Sequence, residues 1–300
     1  MRIALLGPIH PWRGGIAHYT ARLHRALEDA GHEVLALNFR RLYPDLLFPG
    51  RTQRDRSEET FDVGADRLFD PINPLSWVHC AHRMREFGAD RLVLQWWHPY
   101  FAPGYAAVAA LARLTGITTI IQCHNVQPHE QTPVDRWLLQ IAYACPEHFV
   151  VQSNSEARRL ERLLGRDISV TVAPHPPYDV FGEVDGRRAD QWREKLNLEV
   201  EHILLFFGLV RRYKGVDVLL NAAARLPDEL DWALVIAGEI YEGRDELFAQ
   251  AESLDLEDRI RFVDRYVPNE HVAGLFEMAD QCILPYRHAT GSGVANIAIA

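Results

Sequence analysis

Cysteine is scarce in this chain. Cys80, Cys123, Cys145 and Cys282 are the four in 300 residues, and no two form a C-x-x-C pair. That excludes a disulfide framework and a thiolate zinc site, and it fits a reducing compartment. Long apolar runs are also missing. The stretch Tyr105–Ile121 is broken by Arg113, Thr115 and Gly116 and falls short of a membrane span. The opening MRIALLG is too short for a signal-peptide core. Positive charge is not in excess: the net charge is -9, which argues against a nucleic-acid partner. A G-x-G-x-x-G fingerprint is absent too. Pro8, His10 and Pro11 fill the loop after the first apolar run, so a dinucleotide-dependent dehydrogenase is disfavoured. A cytoplasmic protein is expected.

What is present is an ordinary globular composition, 48% hydrophobic and 24% charged, arranged as alternating strand and helix patterns. RIALLG (2–7), EVLALNF (33–39), RLVLQWW (91–97), ITTIIQCHN (117–125), HFVVQS (148–153) and ISVTVAP (168–174) read as strands, with helices between several of them. Asn154 or Ser153 is the expected cap of the helix ending at Leu164. The pattern restarts with strands 202–207, 232–237, 259–267 and 281–286 and helices 216–226, 244–254 and 269–279. This order predicts α/β architecture: two Rossmann-like doubly wound lobes facing a cleft, residues 1–178 and 179–300. Residues 40–75 read as a long irregular insertion, and 175–200 as the connection between lobes. The chain stops inside a helical pattern begun near Val294, so the second lobe is expected to be incomplete at its C-terminal end.

Ligands of open α/β sheets sit at the carboxyl ends of strands, and the notable residues fall there. After strand 202–207 come Gly208, Arg211, Arg212, Lys214 and Gly215. Two glycines permit close backbone approach and three cations crowd one turn, a combination suited to a phosphate or diphosphate. A solvated basic loop is the plainer alternative. Ser292 between Gly291 and Gly293 opens a helix and supplies a second anion-binding start, facing Arg211 and Lys214. Gly14 and Gly15 open the first helix, either for an anion or as a tight turn. Trp96, Trp97 and His98 end a strand and suit sugar stacking or core packing. His124 ends the next strand, where it suits a hydroxyl or a proton transfer. Zinc spacing among His124, His129 and Glu130 is weak. Glu239, after LVIAG, suits a sugar or ribose hydroxyl, or only a helix start. His79 and His82, on a probable helix, are read as structural.

FFGLVRRYKGVDVLLNA (206–222), VIAGEIYEG (235–243) and RFVDRYVPNEHVAGLFEMADQCILPYRHATGSG (261–293), with the GG loop, QWWHPYFAP (95–103), CHNVQPHE (123–130) and VVQS (150–153), resemble the group 1 glycosyltransferases, glycosyltransferase family 4, of the GT-B fold. The resemblance implies transfer of a sugar from a UDP- or GDP-linked donor to a glycan, lipid-linked or small-molecule acceptor, with retention and without a metal or other cofactor. It implies His124, Arg211 and Lys214 as catalytic residues. Gly14, Gly15, Gly208, Glu239, Ser292 and Gly293 would join Arg211 and Lys214 around the donor, and Trp97, His98 and Glu130 would lie on the acceptor side. Leu209 stands where the family carries an arginine, with Arg211 as its substitute. Thr290 and Ala298 stand where the family has paired glutamates. Two further readings stay open: a sugar-nucleotide epimerase on the same fold, with Glu130 and Glu239 as its candidate acid/base carboxylates, and a non-catalytic nucleotide- or partner-binding lobe pair, to which the missing glutamates point. Arg40, Arg41, Arg51, Arg54 and Arg56 suggest peripheral contact with an anionic membrane at its inner face.

Overall fold

A computed structural model describes residues 1–300 except 45, 47, 49, 128–131, 179–180, 182–185 and 289–290. The described chain forms two compact units. The first comprises Met1–Phe48, Thr52–Asp55 and Thr60–His175, and the second Pro49–Arg51, Arg56–Glu59 and Pro176–Ala300. The chain therefore does not divide at one point: two short pieces of the 40–75 stretch belong to the second unit.

The first unit has strands β1 (Arg2–Leu6), β2 (Glu33–Phe39), β3 (Asp66–Phe69), β4 (Arg91–Trp96), β5 (Thr118–Cys123), β6 (His148–Val151) and β7 (Ser169–Val172). Helices α1 (Gly15–Asp29), α2 (Pro74–Phe87), α3 (Ala102–Leu114), α4 (Pro133–Ala142) and α5 (Asn154–Leu164) intervene. The sheet order is β3-β2-β1-β4-β5-β6-β7, and the paired strands are parallel. β1 is apolar after Arg2 because helices cover both faces of a parallel sheet. The order reverses between β1 and β4, which makes the carboxyl ends of those strands a topological switch point.

The second unit has α6 (Arg187–Leu196), β8 (His202–Phe207), α7 (Val216–Ala223), β9 (Trp232–Ala237), α8 (Arg244–Ser253), β10 (Ile260–Val263), α9 (Asn269–Glu277), β11 (Gln281–Cys282) and α10 (Gly293–Ala298). Its parallel sheet runs β10-β9-β8-β11, so its switch point lies between β8 and β11. Every residue of β9 is buried. The two loops expected to bind anions follow β8 and β11, the strands that flank this switch point.

Two segments differ from the sequence reading. The 40–75 insertion contains β3, which extends the sheet beside β2. Its sequence DRLF buries only Phe69 and is too short to show a period. The connection at 175–200 contains α6, a polar helix whose buried residues are Ala189 and Trp192. It seats on α9 because Gly274 lets the backbone of Arg188 come close; a Cβ there would lie 2.8 Å from the Arg188 carbonyl carbon. β10 and β11 are also shorter than the runs expected at 259–267 and 281–286. Of the two candidate caps for α5, Ser153 serves, its hydroxyl accepting the Glu156 amide at 3.3 Å. No helix among the described residues is long and apolar enough to cross a membrane.

Candidate functional site

The loop after β8 is pinned by glycines. Gly208 and Gly238 have φ of +103° and +150°, and a Cβ on Gly238 would lie 2.1 Å from the Gly208 carbonyl oxygen. Gly215 has φ +71°, and a Cβ there would lie 2.2 Å from the Pro285 oxygen. These approaches fix the cation loop between the end of β9 and the loop after β11. Arg287 adds ties: its amide donates to the Tyr213 carbonyl at 2.8 Å, and Nη1 donates to the Arg212 carbonyl at 3.2 Å. Its guanidinium also pairs with Asp217 in the first turn of α7.

Held in this way, Lys214 reaches inward. Its Nζ lies 5.5 Å from the centroid of the Tyr286 ring, and 3.0 Å from where a Cβ on Gly208 would stand. Val294 Cγ2 lies 3.4 Å from that same point. The Ser292 hydroxyl donates to Tyr286 Oη at 3.4 Å and accepts the Ala295 amide at 3.2 Å as the cap of α10. The Gly208, Lys214 and Ser292 regions are thus gathered by tertiary structure. Arg211 sits with its guanidinium 5.2 Å from the Tyr241 ring. Burial, and then the neighbouring Arg211 charge, push the Lys214 amine down to about 8. Among the described residues no carboxylate pairs with Arg211 or Lys214, although Arg287 and Arg244 of the same unit both have acidic partners. Two cations side by side without an anion form a site that an anionic ligand would relax.

In the first unit, His124 follows β5. Its Nε2 lies 2.7 Å from Gln95 Oε1 and its Nδ1 3.3 Å from Gln152 Nε2. Tyr19 meets the imidazole edge-on, with centroids 4.7 Å apart, and His175 lies 5.1 Å from Tyr19. Burial, with a smaller contribution from His175, pushes the imidazole down to about 3, so the ring is neutral at physiological pH. Gly14, φ +106°, is the N-cap of α1. Trp96 is core, 1% exposed. Trp97 packs on Phe101 at 4.4 Å and donates from Nε1 to Tyr43 Oη at 3.0 Å. His98 Nδ1 accepts the Tyr100 amide at 3.2 Å, capping a short 3₁₀ turn, Pro99–Phe101.

Glu239 is 3% exposed, and its Oε1 accepts the Arg51 amide within the second unit. It is engaged by the protein rather than turned to solvent. Glu130, with His129 of the zinc alternative, lies outside the described residues, as does Thr290. Among the arginines suggested for membrane contact, Arg41 pairs with Asp70 at 3.6 Å and Arg51 with Asp264 at 3.2 Å, while all five side chains remain exposed. Tyr286, Tyr241, Arg287 and Asp217 were missed, since nothing in their spacing marks them. Gln95 carried a signal: it is the one uncharged polar residue in the strand RLVLQW, and it is fully buried.

The family described as glycosyl transferase 4-like domain matches residues 14–176, and that described as glycosyl transferases group 1 matches residues 188–297. The chain belongs to the group 1 glycosyltransferases. A D-inositol 3-phosphate glycosyltransferase of Catenulispora acidiphila is 33% identical over 162 residues, covering 51% of this chain and 38% of that protein. The match thus spans well under half of that relative's length. Sucrose-phosphate synthase of Thermosynechococcus elongatus superposes with a TM-score of 0.72 at 18% identity, over 98% of this chain and 77% of that one. Anabaena HepE in complex with UDP-glucose gives 0.70 at 15%, over 94% and 73%. These likenesses place both Rossmann-like sheets in the GT-B class of the family.

Proposed function

We propose that this chain transfers a glycosyl group from a nucleoside-diphosphate sugar to a hydroxyl of an acceptor, with Arg211 and Lys214 receiving the diphosphate. The observation that carries this reading is the adjacency of these two cations, with no acidic partner among the described residues, at the β8/β11 switch point. As the bond from the anomeric carbon to the diphosphate oxygen breaks, negative charge grows on the leaving group. Cations already fixed by Gly208, Gly215 and Arg287 stabilise that charge without reorganising. The partial burial of Lys214 strengthens its share of the interaction, because fewer waters compete there than at the exposed Arg211. Ser292 and Gly293 border the same site through Tyr286 and Val294. The neutral His124 suits a sugar hydroxyl and is ill suited to an anion.

UDP is the favoured nucleotide, since the HepE structure of the same fold is a complex with UDP-glucose. The test is titration calorimetry of the whole chain with UDP and with GDP, followed by release of nucleoside diphosphate from a panel of nucleotide sugars with and without added acceptors. Binding that weakens at least tenfold in Lys214→Met and Arg211→Gln supports the reading. Unchanged binding in both variants, or no nucleotide binding by the wild type, overturns it.

A further inference from the structure

The strand β4 reads Arg-Leu-Val-Leu-Gln-Trp, and its glutamine is fully buried. A leucine would satisfy that position by packing alone. Instead Gln95 keeps its Nε2 without a hydrogen-bond partner among the described residues, which costs free energy in a buried place. What it holds in return is His124: Oε1 lies 2.7 Å from the imidazole Nε2. On the far side of the ring the Gln152 amide nitrogen lies 3.3 Å from Nδ1. An amide NH₂ can only donate, so Nδ1 must accept and carries no proton. In a neutral ring the proton then sits on Nε2, where the Gln95 carbonyl accepts it. The two contacts agree on one tautomer.

We propose that Gln95 is a positioning residue that fixes His124 as the neutral Nε2–H tautomer, with the Nδ1 lone pair as the acceptor the ring offers at the carboxyl end of β5. The contact to Gln152 is the longer of the two, so Gln152 is the partner an incoming group displaces. A lone pair recognises a hydroxyl proton and repels a phosphate or carboxylate oxygen. His124 therefore selects a sugar hydroxyl at this strand end. Among the described residues, the titratable groups facing the ring are Tyr19 from α1 and His175 after β7, and neither supplies a negative charge that would protonate it near neutrality. The tautomer stands independently of the sugar-transfer reading; only the hydroxyl selection rests on it.

The test is long-range ¹H–¹⁵N correlation spectroscopy of the whole chain labelled at histidine nitrogens, with His124 assigned by the signal lost in His124→Asn. The expected wild-type spectrum shows protonated Nε2 and unprotonated Nδ1, unchanged from pH 5.5 to 8. In Gln95→Leu the ring becomes a mixture of tautomers, and in Gln95→Glu the new carboxylate draws it towards imidazolium at neutral pH. Should Gln95→Leu fail to fold, Gln95→Glu carries the test alone. A wild-type Nδ1–H tautomer, ordinary titration near pH 6.5, or variants with an unaltered ring would overturn the proposal. Donor kcat/KM in Gln95→Leu is expected to fall about tenfold, one neutral hydrogen bond's worth. Fixed tautomer with no nucleotide-sugar turnover in the wild type leaves the positioning role standing and removes the functional reading alone.

Discussion

The Lys214 amine stands 5.5 Å from the Tyr286 ring centroid, so a half-buried cation rests against an aromatic face with Arg211 as its charged neighbour. Like charge and lost hydration both disfavour its proton. An aromatic face returns only part of that loss, because a quadrupole attracts a cation less than a carboxylate does.

The first prediction follows from that imbalance. Lys214 is pushed down to about 8 when folded, against about 10.4 in the unfolded chain. Between those values the unfolded state binds more protons, so the unliganded protein gains stability as pH rises through that window. Below pH 8 the charged lysine is a cost, about 1 kcal/mol once solvent screening is allowed for. Lys214→Met should therefore raise the melting temperature at pH 7 and abolish the further rise given by UDP. A melting temperature that falls in this variant would contradict the assignment.

A second concerns proton linkage on binding. A diphosphate beside Lys214 raises the amine back towards its ordinary range, so UDP binding takes up a proton near and above pH 8. Calorimetry in buffers of different ionisation enthalpy should show uptake at pH 8.5 that disappears in Lys214→Met. UDP affinity should decline from pH 8 to 9.5.

Gly238→Ala tests the backbone frame of the loop. The added Cβ meets the Gly208 carbonyl at 2.1 Å, on a residue with φ +150°. Strain and displacement together should cost about 3 kcal/mol or more in denaturant unfolding. Gly31→Ala, which also has positive φ but meets nothing within 4 Å, should cost only about 1 kcal/mol.

Asp217→Asn separates loop positioning from global stability. Asp217 and Arg287 are both partly exposed, so their pair contributes at most about 1 kcal/mol to folding. Arg287 also ties the 212–213 backbone, so the donor KM should rise several-fold while the melting temperature barely moves. Equal loss in both would mean the pair serves only stability.

Glu239→Gln distinguishes a clasp from a ribose ligand. The carboxylate receives the Arg51 amide in a buried place, and the neutral amide is a weaker acceptor. Stability should drop by about 1–2 kcal/mol with UDP affinity within twofold of wild type. A large affinity loss at unchanged stability would restore the ribose role.

Much of the fold was legible along the chain. β2, β8 and β9 coincide with the apolar runs read for them, because buried parallel strands are continuous in hydrophobicity and short. β3 and α6 were not legible, since each buries too little of its own sequence to show a period. β3 exists because β2 offers an open edge, and α6 because Gly274 offers a seat. In the site, Gly208, Arg211 and Lys214 could be named from glycine spacing and clustered charge. Tyr286 and Arg287 could not, as their roles arise from strands that are distant in sequence and adjacent in the sheet, and Gln95 was marked only as a polar residue in an apolar strand.

The sequence by itself determined the alternating α/β order, the family and the cationic loop, because these depend on local pattern and residue chemistry. Tertiary structure decided which loops meet, that Lys214 lacks a carboxylate among the described residues while Arg287 has one, that Glu239 is engaged by Arg51, and which nitrogen of His124 faces Gln95. Burial and partner geometry set those outcomes, and both depend on how strands from distant parts of the chain are ordered in each sheet.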